Sequence, residues 1–138
     1  MGSETNVYGI ADSSYKAAGE LSGIIKLVDA FYDFMGTLPE AKKIRSMHPQ
    51  NLSESRKKLA YFLSGWLGGP KLYSEYFGQI KLPVAHRHLP IGLAERDAWI
   101  LCMQKAVSIQ PYEDSFKDYL IEKLRIPAER IRMVCSAP

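Results

Sequence analysis

Ile24, Leu27, Val28, Phe31, Tyr32 and Met35 recur at steps of three and four residues. A helix of 3.6 residues per turn gathers such a set on one face, and the apolar stripe must then be covered by other elements. Similar stripes follow along the chain. Leu52, Ser55, Leu59, Phe62, Leu63 and Trp66 line one side of a second segment, with Arg56, Lys57 and Lys58 on its polar side. Trp99, Met103 and Val107 stack at four-residue steps, with Cys102 and Ala106 alongside. Phe116, Tyr119, Leu120 and Leu124 form the last stripe, with Ile121 beside it. No run alternates convincingly as a strand does, and Gln79 to Val84 is only a weak candidate. The predicted fold class is all-α, five or six helices around one core.

Punctuation between the stripes sets their bounds. Asp12 suits the start of a short helix and Ser22 the cap of the first long one, which Gly36 ends. Leu38-Pro39-Glu40 opens a short helix running to about Met47, closed by His48-Pro49 because the residue before proline avoids helical geometry. Asn51 or Ser53 caps the next helix, and Gly68-Gly69-Pro70 breaks it. Leu72 to Phe77 reads as a short aromatic helix stopped by Gly78. Residues 79–92 read as loop, with Pro83, Pro90 and Gly92, and Glu95 begins the next helix. Gln110-Pro111 separates the final helix, which Pro127 is expected to interrupt before a terminal turn containing Ile131, Val134 and Cys135.

A chain of 138 residues, 46% hydrophobic and 24% charged, is expected to form one domain, residues 20–138, preceded by an extension over residues 1–19. The net charge of +3 is mild and the basic residues are dispersed, Lys42-Lys43 and Arg56-Lys57-Lys58 being answered by Glu40 and Glu54. Nucleic acid is therefore not an expected partner. Two cysteines make no disulfide framework, the first residues lack the apolar core of a signal peptide, and no run is long enough to span a membrane. A soluble, cytoplasmic protein is expected.

Two of the three histidines, His86 and His88, stand beside Pro90 and Gly92 and ahead of the Trp99 helix. They point to opposite sides of an extended segment, or about 200° apart on a helix, so one can hold a metal or a haem iron while the other faces outward. Zinc wants three or four ligands that the chain does not offer at zinc spacings. A Cys-x-x-Cys-His is absent, which excludes covalent c-type haem but leaves one axial histidine on a non-covalent haem. Hydrolase and phosphate-binding motifs are absent too: there is no Gly-x-Ser-x-Gly, glycine-rich phosphate loop or His-Glu-x-x-His. Gly68-Gly69-Pro70 is read as a helix terminator, and Glu95-Arg96-Asp97 as a solvated first turn in which Arg96 can pair with an acid. Phe31-Tyr32 and Trp99 lie in apolar stripes, yet a buried phenol and a buried indole each want a partner for the polar tip.

These residues, in this order, resemble the group II truncated haemoglobins. Phe31-Tyr32 resembles the family's B-helix pair. Trp66-Leu67-Gly68-Gly69-Pro70-Lys71-Leu72-Tyr73-Ser74 resembles the segment ending its E helix, and His86 through Trp99 resembles the block from proximal histidine to G helix. The similarity spans roughly residues 20–125. It implies a two-over-two helical sandwich enclosing haem b. Carried over by position, His86 matches the proximal iron ligand, because it stands thirteen residues before Trp99 and His88 stands two residues closer. Tyr32 matches the distal tyrosine, Trp99 the G-helix tryptophan and His48 the corner after the C helix; these three would stabilise a distal ligand. Ser55 falls where classical globins have a distal histidine. Phe31, Leu59, Phe62, Leu63, Ile91 and Met103 would contact the haem, and Lys58, Lys71, Tyr73, Arg87 and His88 are the candidates for its propionates. The implied ligands are dioxygen, nitric oxide and carbon monoxide. The implied chemistry is reversible oxygen binding or oxygen transport, with nitric oxide dioxygenation or peroxidase activity served by a reductase of unknown identity. A gas or redox sensor without turnover is the alternative. A monomer or weak dimer is expected.

Overall fold

The computed structural model describes residues 8–79 and 82–136, and within them every regular element is helical. The elements are α1 (Ser13–Ala17), α2 (Glu20–Thr37), a 3-10 turn (Pro39–Ala41), α3 (Lys42–Ser46), α4 (Ser53–Trp66), α5 (Leu72–Phe77), α6 (Leu82–His86), α7 (Leu93–Ser108) and α8 (Asp114–Ser136). The stripe that opens the sequence is the buried face of α2: Ile24, Leu27, Val28 and Phe31 are fully buried and Met35 nearly so. Two pairs, α2 with α4 and α7 with α8, form the layers, and α2 lies across α7 to join them. The shared core includes Leu63 from α4, Cys102 and Met103 from α7, and Phe116, Leu120 and Leu124 from α8.

Local chemistry accounts for the boundaries. Asn51 Oδ1 accepts the Ser53 N–H at 2.9 Å in a turn just ahead of α4, whose N-cap position is Leu52 rather than Asn51 or Ser53. Pro39 sits in the first turn of its short helix, where its missing N–H is no loss. Gly78, at φ +83°, stops α5 in a conformation that favours glycine.

The Gly68-Gly69-Pro70 break does more than end α4. Gly68 has φ +95°, and a Cβ there would fall 2.0 Å from the Ala11 carbonyl oxygen. A Cβ on Gly69 would fall 2.3 Å from the Tyr15 ring. The glycines therefore let the segment around α1 lie directly on the break. Ser64 fastens the underside, its hydroxyl donating to Pro70 O at 2.7 Å and its carbonyl accepting the Gly69 N–H at 2.8 Å. Ser14 and Ala18 are buried, so part of the N-terminal extension is integral to the core. Tyr8 packs edge-on against Phe116, and its hydroxyl shares a 2.7 Å hydrogen bond with Ser115.

Two expectations are corrected. Residues 82–86, assigned to a loop and partly to the weak strand candidate, form α6; Pro83 falls in its first turn, where proline is tolerated. Residues 80 and 81 of the strand candidate lie outside the described residues. Nor does Pro127 interrupt the last helix: α8 runs from Asp114 to Ser136 with Pro127 inside it. The turns beyond Pro127 are held from outside by Arg96, which donates to Glu129 at 2.7 Å, while Arg132 within α8 donates to the same carboxylate at 2.7 and 2.6 Å.

Candidate functional site

α2 and α7 cross with their aromatic residues in contact. Phe31 meets Tyr32 edge-to-face at 5.0 Å between ring centroids and meets Trp99 at 5.1 Å. Tyr32 meets His48, at the end of α3, at 5.7 Å. Three elements thus bring Phe31, Tyr32, His48 and Trp99 into one cluster. Tyr32 is buried, and burial pushes its phenol up to about 12, against the smaller opposing pull of the Arg56 charge. The hydroxyl is accordingly a donor at any ordinary pH. Its one hydrogen bond among the described residues, to Ser55 O, is long at 3.5 Å and readily exchanged for a better acceptor. The Trp99 indole N–H has no hydrogen bond among the described residues, and its side chain is half-buried.

His48 donates from Nδ1 to Ile44 O at 2.8 Å. Its pKa is lowered, chiefly by burial and further by the charges of Arg45 and His86, while the bond to Ile44 opposes the shift. Nδ1 holds the proton of the neutral ring, so Nε2 presents a lone pair. Arg56 lies over the Tyr32 ring, 5.7 Å from its centroid, and is fixed by Asp29 at 3.1 Å and Asp33 at 3.0 Å. Sequence reasoning placed Arg56 on the polar face only.

His86 ends α6 and is half-buried. It donates from Nδ1 to Leu82 O at 2.8 Å, one turn back in its own helix. That bond fixes the tautomer and leaves Nε2 with a free lone pair, which is how histidines that ligate metals are oriented. His88 and Arg87, just beyond, are exposed. The His86 carbonyl accepts from Cys135 Sγ at 2.9 Å, a contact across 49 positions that the sequence offered no means of finding.

The remaining candidates divide. Met103 and Leu63 are buried in the core, and Leu59 and Phe62 are half-buried against it. Ile91 and Tyr73 are half-buried, Tyr73 lying 5.2 Å from Phe77. Lys58 pairs with Glu54 at 3.2 Å and covers the Phe77 ring at 5.4 Å, and Lys71 is exposed at the foot of the Gly65 turn. Glu95, expected as part of a solvated turn, instead caps α7: its Oε1 accepts the Gly92 N–H at 2.8 Å, and Lys43 sits 3.4 Å from Oε2. That capping bond, more than the lysine, holds its carboxyl below the usual range.

Haem fits this donor set. One imidazole offers a committed tautomer with a free Nε2, an aromatic cluster offers O–H and N–H donors, and half-buried Leu59, Phe62, Trp66 and Trp99 offer apolar surface suited to a flat macrocycle. No group of three or more histidine, cysteine or carboxylate side chains suited to a bare metal ion occurs among the described residues.

Comparison with known proteins agrees. The bacterial-like globin family model matches residues 13–132, a wider span than the resemblance read from the sequence. The group 2 truncated haemoglobin YjbI of Bacillus subtilis is 33% identical over 120 residues, 87% of this chain and 88% of that protein. A group II 2-on-2 haemoglobin from Agrobacterium tumefaciens superposes with a TM-score of 0.81 at 35% identity, covering 86% of this chain and 92% of the other. A truncated oxygen-avid haemoglobin from Bacillus subtilis superposes at 0.77 with 33% identity, covering 86% and 97%. With family model, sequence relative and solved structures all coinciding on the helices that carry Tyr32, His86 and Trp99, this chain belongs to the bacterial-like globins, within the group II truncated haemoglobins.

Proposed function

We propose that this globin holds haem b with His86 as its iron ligand and binds dioxygen, nitric oxide or carbon monoxide on the face lined by Tyr32 and Trp99. Haem, when bound, supplies an iron with one open position for a diatomic ligand. The chain supplies the rest. His86 presents Nε2 because Leu82 O holds Nδ1–H. Tyr32 O–H and Trp99 N–H are donors for the negative end of a polarised ligand, and donors fixed in an apolar surrounding act more strongly than in water. Leu59, Phe62 and Leu63 keep water away from them. Slow ligand release follows, which suits nitric oxide dioxygenation or peroxide chemistry, fed by a reductase, better than delivery. The oxygen avidity stated for the Bacillus subtilis structure supports the same reading.

The observation that carries the proposal is the grouping of Phe31, Tyr32, His48 and Trp99, together with a histidine whose Nδ1 is already committed. Absorption spectra of the haem-reconstituted protein test it. An intense Soret band should be weakened or displaced in His86→Ala and nearly unchanged in His88→Ala. A His86→Ala protein with an unaltered spectrum overturns the assignment of the ligand.

A further inference from the structure

We propose that Cys135 is a positioning residue for the proximal histidine, holding the backbone of α6 so that the His86 ring keeps its orientation; this rests on the reading of His86 as iron ligand. α6 has only five residues, too few to be stable by themselves, and its last carbonyls have no partner within the helix. The His86 ring is aimed by a bond to Leu82 O in the same short helix, so it follows wherever that backbone goes. The fixing must come from outside. It comes from α8, the element packed most closely on α6 among the described residues.

Cys135 Sγ donates to the His86 carbonyl at 2.9 Å, and the Leu89 N–H occupies the same oxygen at 2.9 Å. Both lone pairs of the ligand residue's own carbonyl are thereby used. The thiol is itself well anchored. Six residues before it, Glu129 is clamped between Arg132 and Arg96, and Arg96 also grips Asp97 at 2.8 Å. The end of α8 therefore fastens the segment between His86 and Arg96 at both of its ends, by the Cys135 thiol at one and the Glu129 carboxylate at the other. This also gives the continuous course of α8 past Pro127 a purpose: a helix stopped there would not reach His86.

Haem-reconstituted Cys135→Ala and Cys135→Ser proteins test the proposal by two readouts. The first is the iron–histidine stretching band in the resonance Raman spectrum of the ferrous, ligand-free form. The second is the rate of haem transfer to excess apomyoglobin. Cys135→Ala should broaden or shift the band and speed haem loss about two- to tenfold, the range for one modest hydrogen bond. Cys135→Ser, which keeps a donor at the same place, should restore both toward wild type. An unchanged band and rate in Cys135→Ala overturn the proposal. Equal disturbance by serine and alanine overturns it too, since the thiol would then act through volume alone. His86→Ala separates the two assignments: if it keeps the iron–histidine band, the ligand assignment itself has failed and this proposal with it.

Discussion

Tyr32 sits where its phenol must stay protonated, because burial lifts it to about 12. A donor to a polarised ligand contributes about 1.5–3 kcal/mol, so Tyr32→Phe should release dioxygen about ten- to a hundredfold faster, as measured by stopped-flow absorption. His48 behaves differently. Its lowered pKa keeps it neutral above 6.5, with Nδ1–H given to Ile44 O, so Nε2 can accept from the Tyr32 hydroxyl but has no proton to offer. Only on the acid side of 6.5 does Nε2 gain a proton and become a donor. Dioxygen release should therefore be level from neutral to mildly alkaline pH and slow as pH falls below 6.5, and His48→Phe should flatten the profile. The sign for stability is fixed by the same shift. A group depressed in the folded state contributes stability that is complete above its unfolded pKa and lost as pH falls through its folded one. Wild type should thus lose stability to acid in that window more steeply than His48→Phe. The opposite trend in release, faster with acid, would mean that His48 does not face the ligand.

At the scale of elements, the Gly68-Gly69-Pro70 break is a joint between α4 and the N-terminal segment. Gly69→Ala drives a methyl into the Tyr15 ring near its root, where rotation of the side chain gives little relief. Overpacking of this kind costs about 1–3 kcal/mol, and thermal unfolding should show it. In Tyr15→Ala the same substitution should cost much less, and the double-mutant cycle measures the difference; additive effects would refute the joint. The break was legible in the sequence as punctuation, because glycine and proline act locally. What it docks was not, since Tyr15 and Gly69 are far apart along the chain. The same division runs through the molecule. The α2 stripe and the α5 bounds at Leu72 and Phe77 are local signals and were readable. α6 was not, because five residues containing Pro83 have no helical period to detect. Nor was the passage of α8 through Pro127, which depends on the partnership of Arg96 and Glu129 across 33 positions. For the site, the resemblance to the group II truncated haemoglobins made Tyr32, His86 and Trp99 candidates, while the contacts of Leu82 O and Cys135 with His86, and of Ile44 O with His48, are visible only in three dimensions.

Across the whole molecule, burial is unevenly shared. Ile24, Leu27, Val28, Phe31, Met103 and Leu120 are all fully buried in the α2–α7–α8 core, which needs no cofactor to exclude water. By contrast, none of the side chains whose burial is described between Gly68 and Asp97 is buried, although they include Leu72, Tyr73, Phe77, Leu82, Leu89 and Ile91. Those of α5 pack on α4, while under the proposed haem ligation by His86 those of α6 and the turn after it gain further shielding when haem binds. A ligand that binds only the folded state stabilises it by mass action, and the gain falls on the parts that contact the ligand. Removal of haem should therefore loosen α6 and the following turn far more than the core. Hydrogen exchange followed by mass spectrometry can resolve this. Peptides covering residues 82–92 should exchange at least about tenfold faster in the haem-free protein, equivalent to a loss of about 1.4 kcal/mol of local protection. Peptides from the middle of α2, α7 and α8 should slow or quicken by much less. Uniform acceleration across all helices would show instead that the core depends on haem as strongly as the site does. The fully buried α2 face, already closed against α7 and α8, argues that it does not.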